Sequence, residues 1–260
     1  MSRTYVITGA ASGIGKATAD LLVERGHKVI GVDLHGTDID ADLSTAAGRE
    51  SMVAAVSDMS RGTIDAVIAN AGLATPTAAT VAVNYFGAVA TLEGLRPLLG
   101  GSPAPRAVAT ASMASLYPPD EALLELLLAG DEPGALARGA ELEAAGGDTA
   151  NLIYGTTKRA LARWIRRHAA SPEWAGAGIP LNAVAPGVVV TPMTKAFTDT
   201  AEAREAILQM VPMPLNGIFE PRDVAYLLGW LASKENAHLC GQVIFIDGGS
   251  DAVIRGDSTW

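Results

Sequence analysis

Along the chain, short apolar runs alternate with longer stretches in which hydrophobic residues recur every three or four positions. The short runs read as β-strands: TYVIT (4–8), KVIGVD (28–33), IDAVIANAG (64–72), RAVATAS (106–112), IPLNAVAPG (179–187) and QVIFIDGG (242–249). Between them, IGKATADLLVERG (14–26) and segments near 44–60, 77–99, 151–171 and 221–233 carry helical patterning. Nearly continuous apolar strands separated by helices predict an α/β fold, a doubly wound parallel sheet flanked by helices. No composition shift or internal repeat marks a boundary, so one domain over 1–260 is expected.

Two segments depart from the alternation. Residues 116–150 form a long, acidic, Leu/Ala-rich stretch that Gly130, Pro133 and Gly134 break into two short helices. Leu123, Leu126, Leu127 and Leu136 are available there to cover apolar ground. Residues 191–219 are rich in Met, Pro and Thr and read as irregular structure around a short helix, an apolar lid over a substrate.

Composition narrows the function. At 49% hydrophobic and 18% charged, 260 residues can bury a sizeable core. The net charge of −9 disfavours nucleic acid and anionic membrane as partners. The single cysteine, Cys240, excludes an internal disulfide and reads as a small buried hydrophobe. His27, His35, His168 and His238 lack metal-ligand spacing, so no metal is expected. With no apolar leader in MSRTYVITGA and no uncharged run of transmembrane length, a cytoplasmic protein is expected.

The candidate chemistry starts at TGAASGIG (8–15), which follows the first strand and opens a helix. Glycines at such a turn let backbone approach a pyrophosphate, and the helix start offers free N–H groups. Asp33 ends the second strand, where a carboxylate can accept from both adenosine ribose hydroxyls. Tyr154 and Lys158 stand four apart, stacked neighbours on one helix face. Ser112 ends the RAVATAS strand, where open α/β sheets hold ligands, with Ser115 a rival three residues on. Leu161, Trp164 and Ile165 read as core. Arg159, Arg163, Arg166 and Arg167 read as a solvated helix face, with phosphate binding a minor alternative.

The glycine turn, NAG at 70–72, Asn84, Ser112, Tyr154 with Lys158, and APGVVVTP (185–192), in that order, resemble the short-chain dehydrogenase/reductase family over essentially the whole chain. DADLSTAAGR, VNYFGA, GGDTANLIYGTTK and DGGSDAV resemble its bacterial 3α-hydroxysteroid dehydrogenase/carbonyl reductase group, with coniferyl-alcohol dehydrogenases a near second.

The resemblance implies a Rossmann fold and an oxidoreductase moving hydride between NAD(H) and an alcohol or carbonyl. A carbonyl accepting hydride needs a proton donor, and a phenol with a reference pKa of about 10 needs a neighbouring cation to serve as the base in reverse. The resemblance accordingly implies Tyr154 as acid/base, with Lys158 tuning it and binding the nicotinamide ribose. By the same resemblance Ser112, rather than Ser115, donates to the substrate oxygen, and Asn84 completes the catalytic set. Gly9, Ser12, Gly13, Ile14, Gly15, Asp33, Asn70, Ala71, Gly72, Pro186 and Gly187 are its implied cofactor-binding positions. Asp42 and Leu43 would border the adenine, and Val189 and Thr191 the carboxamide.

Met113, Leu116, Tyr117, Met193, Phe197 and Met210 are candidate substrate contacts, which favour a bulky apolar alcohol or ketone such as a 3α-hydroxysteroid. An aromatic or terpenoid alcohol is the alternative, and a non-catalytic NAD-sensing regulator a more distant one. Relative to the family, the interval 113–153 is long. It is expected to cap the usual subunit interface and leave a homodimer.

Overall fold

Every predicted apolar run forms a strand in the computed structural model, which describes residues 2–258. In chain order the elements are β1 (Thr4–Thr8), α1 (Gly13–Glu24), β2 (Lys28–Asp33), β3 (Ile39–Asp40), α2 (Ala46–Ser60), β4 (Ala66–Ala69), α3 (Ala78–Val81), α4 (Ala88–Leu99) and β5 (Arg106–Thr110). Then come α5 (Glu121–Ala129), α6 (Glu132–Ala145), α7 (Gly147–His168), β6 (Leu181–Pro186), α8 (Lys195–Thr198), α9 (Ala201–Met210), α10 (Pro221–Leu231), β7 (Val243–Ile246) and α11 (Ser250–Arg255). The strands make one parallel sheet in the order β3-β2-β1-β4-β5-β6-β7. That order reverses between β1 and β4, and open sheets take ligands at the carboxyl side of such a switch.

Alternation along the strands divides the core. Val6 of β1 belongs with Val56, Leu92 and Leu161 of α2, α4 and α7, while Tyr5 and Ile7 belong with Leu22 of α1 and Leu228 of α10. The expected Leu161, Trp164 and Ile165 are all in the first of these clusters. Helix α7 ends with Arg166 and Arg167 in its last turn, cations suited to a carboxyl-terminal dipole.

The structure differs from the sequence pattern in several places, among them the additional α11 and the start of α7 at Gly147, inside the 116–150 stretch. Strand β3 is additional, paired by Val32–Ile39 and Asp33–Asp40; two residues between polar turns carry no readable period. The helix expected over 77–99 contains a π-helical turn, Ala82–Gly87, between α3 and α4. Segment 191–219 holds more order than one short helix: a 3-10 turn at Pro192–Thr194, then α8 and α9.

The 116–150 stretch does break into two helices. Gly130 sits at the junction with φ +74°, and Asp120 and Asp131 cap the helices by accepting from Leu123 N and Gly134 N at 2.8 and 3.1 Å. Leu123, Leu124, Leu127 and Leu142 are buried in the core shared with α7. Arg49 of α2 pairs with Glu132, and Arg138 with Asp120, both at 2.7 Å. No described helix is long and apolar enough to cross a membrane.

Candidate active site

The turn after β1 needs its glycines. Gly9 has φ +71°, and a Cβ there would come 2.9 Å from the Ala71 Cα. At Gly15 a Cβ would sit 2.0 Å from the Gly9 carbonyl oxygen, so any side chain would push the turn off the start of α1. Ser12, the N-cap, makes no capping bond with its side chain, which leaves the first backbone N–H groups of α1 open to a ligand. Thr8 Oγ1 accepts from Asn70 N and Ala71 N at 3.0 and 3.1 Å, and Thr110 Oγ1 donates to Asn70 Oδ1 at 3.0 Å. Asn70 thereby ties the ends of β1, β4 and β5 together.

A cleft of about 480 Å³ opens on this floor, lined by Gly9, Ser12, Gly13, Ile14, Asp33, Asp42, Leu43, Asn70, Ala71, Gly72, Thr191 and Met193, among others. Its shape and donors fit a dinucleotide, with the glycine turn for the pyrophosphate and Asp33 at the adenosine end. Asp33 Oδ2 accepts from Ala11 N at 2.9 Å, so the carboxylate also braces the turn. Two bonds from Ser44 hold the Asp42 carboxyl below its usual range. Thr191 reaches the same turn from the far side: a Cβ at Gly13 would meet its Cγ2 at 3.2 Å. Val189 bridges to Phe219 behind Thr191, and Pro186 and Gly187 lead into this segment from β6.

The catalytic candidates converge beside the cleft. Lys158 is 4% exposed and donates from Nζ to Thr110 O at 2.8 Å. Burial without a carboxylate partner pulls its ammonium down to about 8. The ammonium lies 5.9 Å from the centre of the Tyr154 ring. Burial raises the Tyr154 phenol, and a side-chain hydrogen bond with Ser112 acts against that. This differs from the expected simple lowering by the lysine: burial pushes both groups toward their neutral forms. Ser112 N-caps the 3-10 turn Met113–Leu116, its Oγ accepting from Ala114 N at 3.1 Å.

Asn84 is fully buried within the π turn, a distortion that recurs at functional sites. Its Oδ1 accepts from Leu73 N at 2.7 Å, and its Nδ2 donates to Leu73 O at 2.9 Å and Thr157 Oγ1 at 3.2 Å. A Cβ at Gly72 would lie 3.2 Å from Asn84 Oδ1 and 3.3 Å from Lys158 Nζ, so the bare glycine keeps that space open.

The candidate substrate contacts divide. Met113 is buried with Val188, Val211 and Met213, and Tyr117 joins that cluster while donating from its hydroxyl to Met210 O at 2.8 Å. Met193, Phe197 and Met210 are exposed on the 191–219 segment, whereas Leu116 lines a separate hollow with Arg159. Arg159 itself is half-buried rather than solvated, its Nε donating to Ser115 O at 2.9 Å. Sequence reasoning did not find Thr110 or Leu73, because a backbone carbonyl or N–H that anchors a site carries no side-chain signature. Thr157 carried no signal apart from its place beside Lys158.

Comparison with known proteins agrees with this geometry. The short chain dehydrogenase family model matches residues 3–123, and one described as enoyl-(acyl carrier protein) reductase matches 132–251. The chain is 38% identical to a 3-alpha-hydroxysteroid dehydrogenase/carbonyl reductase of Comamonas testosteroni, over 96% of this chain and 97% of that one. It is 31% identical to a cis-4-hydroxycyclohexanecarboxylate dehydrogenase of Sinomonas cyclohexanicum, with coverage of 96% and 97%. A 3-alpha-hydroxysteroid dehydrogenase from Pseudomonas sp. B-0831, solved in complex with NADH, superposes with a TM-score of 0.88 at 40% identity, covering 98% of this chain and 99% of that one. At 38% identity over nearly its whole length to one such enzyme, and with the fold of another, the chain belongs to the short-chain dehydrogenase/reductase family of oxidoreductases.

Proposed function

We propose that this protein is an NAD(H)-dependent dehydrogenase/carbonyl reductase acting on a bulky apolar secondary alcohol or ketone, with 3α-hydroxysteroids as the leading class. The observation that carries the reading is a buried Lys158 that pairs with no acidic group among the described residues, one helical turn from Tyr154, at the edge of a dinucleotide-sized cleft. The bound nicotinamide supplies hydride transfer; the chain's own residues hold it and manage the proton. Lys158, Asn70 and the Val189–Thr191 backbone would hold its nicotinamide half, and Asp33, Asp42 and Leu43 its adenosine half.

In reduction, Ser112 donates to the substrate oxygen and Tyr154 gives up its phenolic proton as negative charge develops there. The raised phenol suits this role, because it is protonated at neutral pH. Oxidation needs the phenolate, so its rate rises with pH until the tyrosine has titrated. A substrate or cofactor oxygen beside the Lys158 ammonium restores a partner to a cation that burial has left short of one. Asn84 keeps the loop after Asn70 and the α7 face in register through Leu73 and Thr157.

The similarity to 3-alpha-hydroxysteroid dehydrogenases supports the steroid class, as do the apolar side chains of the 191–219 lid. Asp33 favours NAD over NADP, since a 2′-phosphate would meet a carboxylate and lose its ribose hydrogen bonds. A homodimer completes the proposal: the α5–α6 insertion covers one face of α7, while Tyr226 and Trp230, exposed on α10, offer an apolar face elsewhere. A panel of steroid, terpenoid, aromatic and small aliphatic alcohols, followed by NADH absorbance, tests the assignment. Turnover confined to small hydrophilic alcohols would overturn the substrate class.

A further inference from the structure

The outer side of α7 is strongly basic on a chain whose net charge is −9. Arg159, Arg163 and Arg166 follow one another along it, and Arg255 of α11 reaches the same hollow of about 380 Å³, whose wall Gln242 and Phe245 complete. Among the described residues, no carboxylate lines this hollow. Among the described residues, Arg159, Arg163 and Arg166 form no ion pair, while Arg255 is paired with Asp251. Arg163 also borders an adjacent hollow that carries Glu121 and Glu125.

Three of the four guanidiniums are held in place by contacts that leave donors free. Arg159 Nε donates to Ser115 O and Arg166 Nη1 to Gly241 O, each at 2.9 Å. Arg255 lies over the Phe245 ring, 5.2 Å from its centre. A guanidinium has five N–H donors and no acceptor, and its fork matches the oxygens of a phosphoryl group. Arg159, Arg163 and Arg166, without counter-charges of their own among the described residues, repel each other around this hollow, and a polyvalent anion relieves that repulsion. Because their partners already fix Arg159, Arg166 and Arg255, binding would order little further side chain.

We propose that this hollow is a second ligand site, separate from the dinucleotide cleft, that takes the phosphoryl group of a small molecule. The test is calorimetric titration of the full-length protein at low salt with inorganic phosphate and, separately, pyrophosphate. Saturating NADH keeps either probe off the glycine turn. One equivalent per chain is expected, weakening as salt rises and at least tenfold weaker in the Arg163→Gln/Arg166→Gln variant. Both arginines are exposed, so the variant should keep its melting temperature. Arg159 is left intact because it braces the turn behind Ser112. Tighter pyrophosphate than phosphate would identify a diphosphate ligand, and equal affinities a single phosphoryl group. The absence of saturable binding, or binding unchanged in the variant, would overturn the proposal. So would a variant that loses self-association in light scattering while neither probe binds the wild type, which would make this face a subunit contact.

Discussion

On the carboxyl side of the sheet, the floor of the site and the 191–219 segment above it break opposite rules of folding. The floor buries what should be in water: Lys158, Asn84, Ser112, Thr156 and Thr157 are all under 9% exposed. The segment exposes what should be buried: Met193, Phe197, Met210 and Leu215 are 44%, 48%, 66% and 67% exposed. Each of these buried polar side chains is nonetheless hydrogen-bonded: Lys158 to Thr110 O, Asn84 to Leu73 and Thr157, Ser112 to Ala114 N, Thr156 to Leu152 O and Thr157 to Tyr154 O. The upper segment is attached through a few contacts, among them Met213 under Val188 and the Tyr117 hydroxyl on Met210. On the proposed function, an anionic cofactor would give the buried cation a partner and an apolar substrate would cover the exposed side chains.

The largest effect should come from the floor. Tyr154→Phe removes only the transferable proton, so turnover should fall by about 10³-fold while the NADH dissociation constant stays within about twofold. Fluorescence titration beside steady-state kinetics separates the two quantities. Activity within tenfold of wild type would remove Tyr154 from the acid/base role.

Lys158→Met sharpens the contrast by separating function from stability. A lysine drawn from 10.5 to about 8 destabilises the fold by roughly 3 kcal/mol while it is charged in both states. Because the folded value is the lower one, this penalty is complete below about pH 8 and disappears as pH rises toward 10.5. The variant should lose activity and NADH affinity, yet be more stable at pH 7 by about 1–3 kcal/mol, allowing for the lost bond to Thr110. Denaturant melts at pH 7 and pH 10 check the sign, and the stability gain should shrink at the higher pH.

Cofactor choice is the next effect in size. Asp33 should favour NAD over NADP by roughly 30- to 1000-fold in kcat/KM, from one lost pairing and like-charge repulsion. Asp33→Ser should bring the two closer together, and a wild-type preference for NADP would contradict the assignment. Smallest is the motion of the cover. Amide exchange over 191–219 should slow when NADH and substrate bind, while exchange in β4 and β5 stays as it was. Equal exchange in both states would count against a lid.

The sequence exposed the floor better than the cover. The apolar run located β1 and the glycine spacing located the turn after it, because a buried parallel strand is continuously apolar and that turn must lack side chains. The Tyr154–Lys158 stacking followed from helical geometry. What the sequence could not reveal was the burial of Lys158, since a lysine on a helix is ordinarily solvated and only the fold brings its ammonium onto Thr110 O, away from water. The π turn around Asn84 was hidden too, for an extra residue in a helical turn leaves the hydrophobic period almost intact. Arg159 was misread as solvated because its carbonyl partners lie over forty positions earlier in the chain. In 191–219, Thr200 caps α9 by accepting from Ala203 N, a signal masked by the surrounding prolines and methionines.

The central claim is that the floor performs the chemistry and the cover selects the substrate. Its most direct test is the ratio of kcat/KM for a 3α-hydroxysteroid over 2-propanol, measured in wild type, Tyr154→Phe and Phe197→Ser/Met210→Ser. The ratio should exceed about a hundredfold in wild type, since two apolar side chains closing on a steroid contribute on the order of 3 kcal/mol or more. Tyr154→Phe should depress both substrates together and keep the ratio, while the cover variant should collapse the ratio and leave 2-propanol turnover near wild type. A ratio that survives the cover variant, or one that Tyr154→Phe alters, would contradict the account.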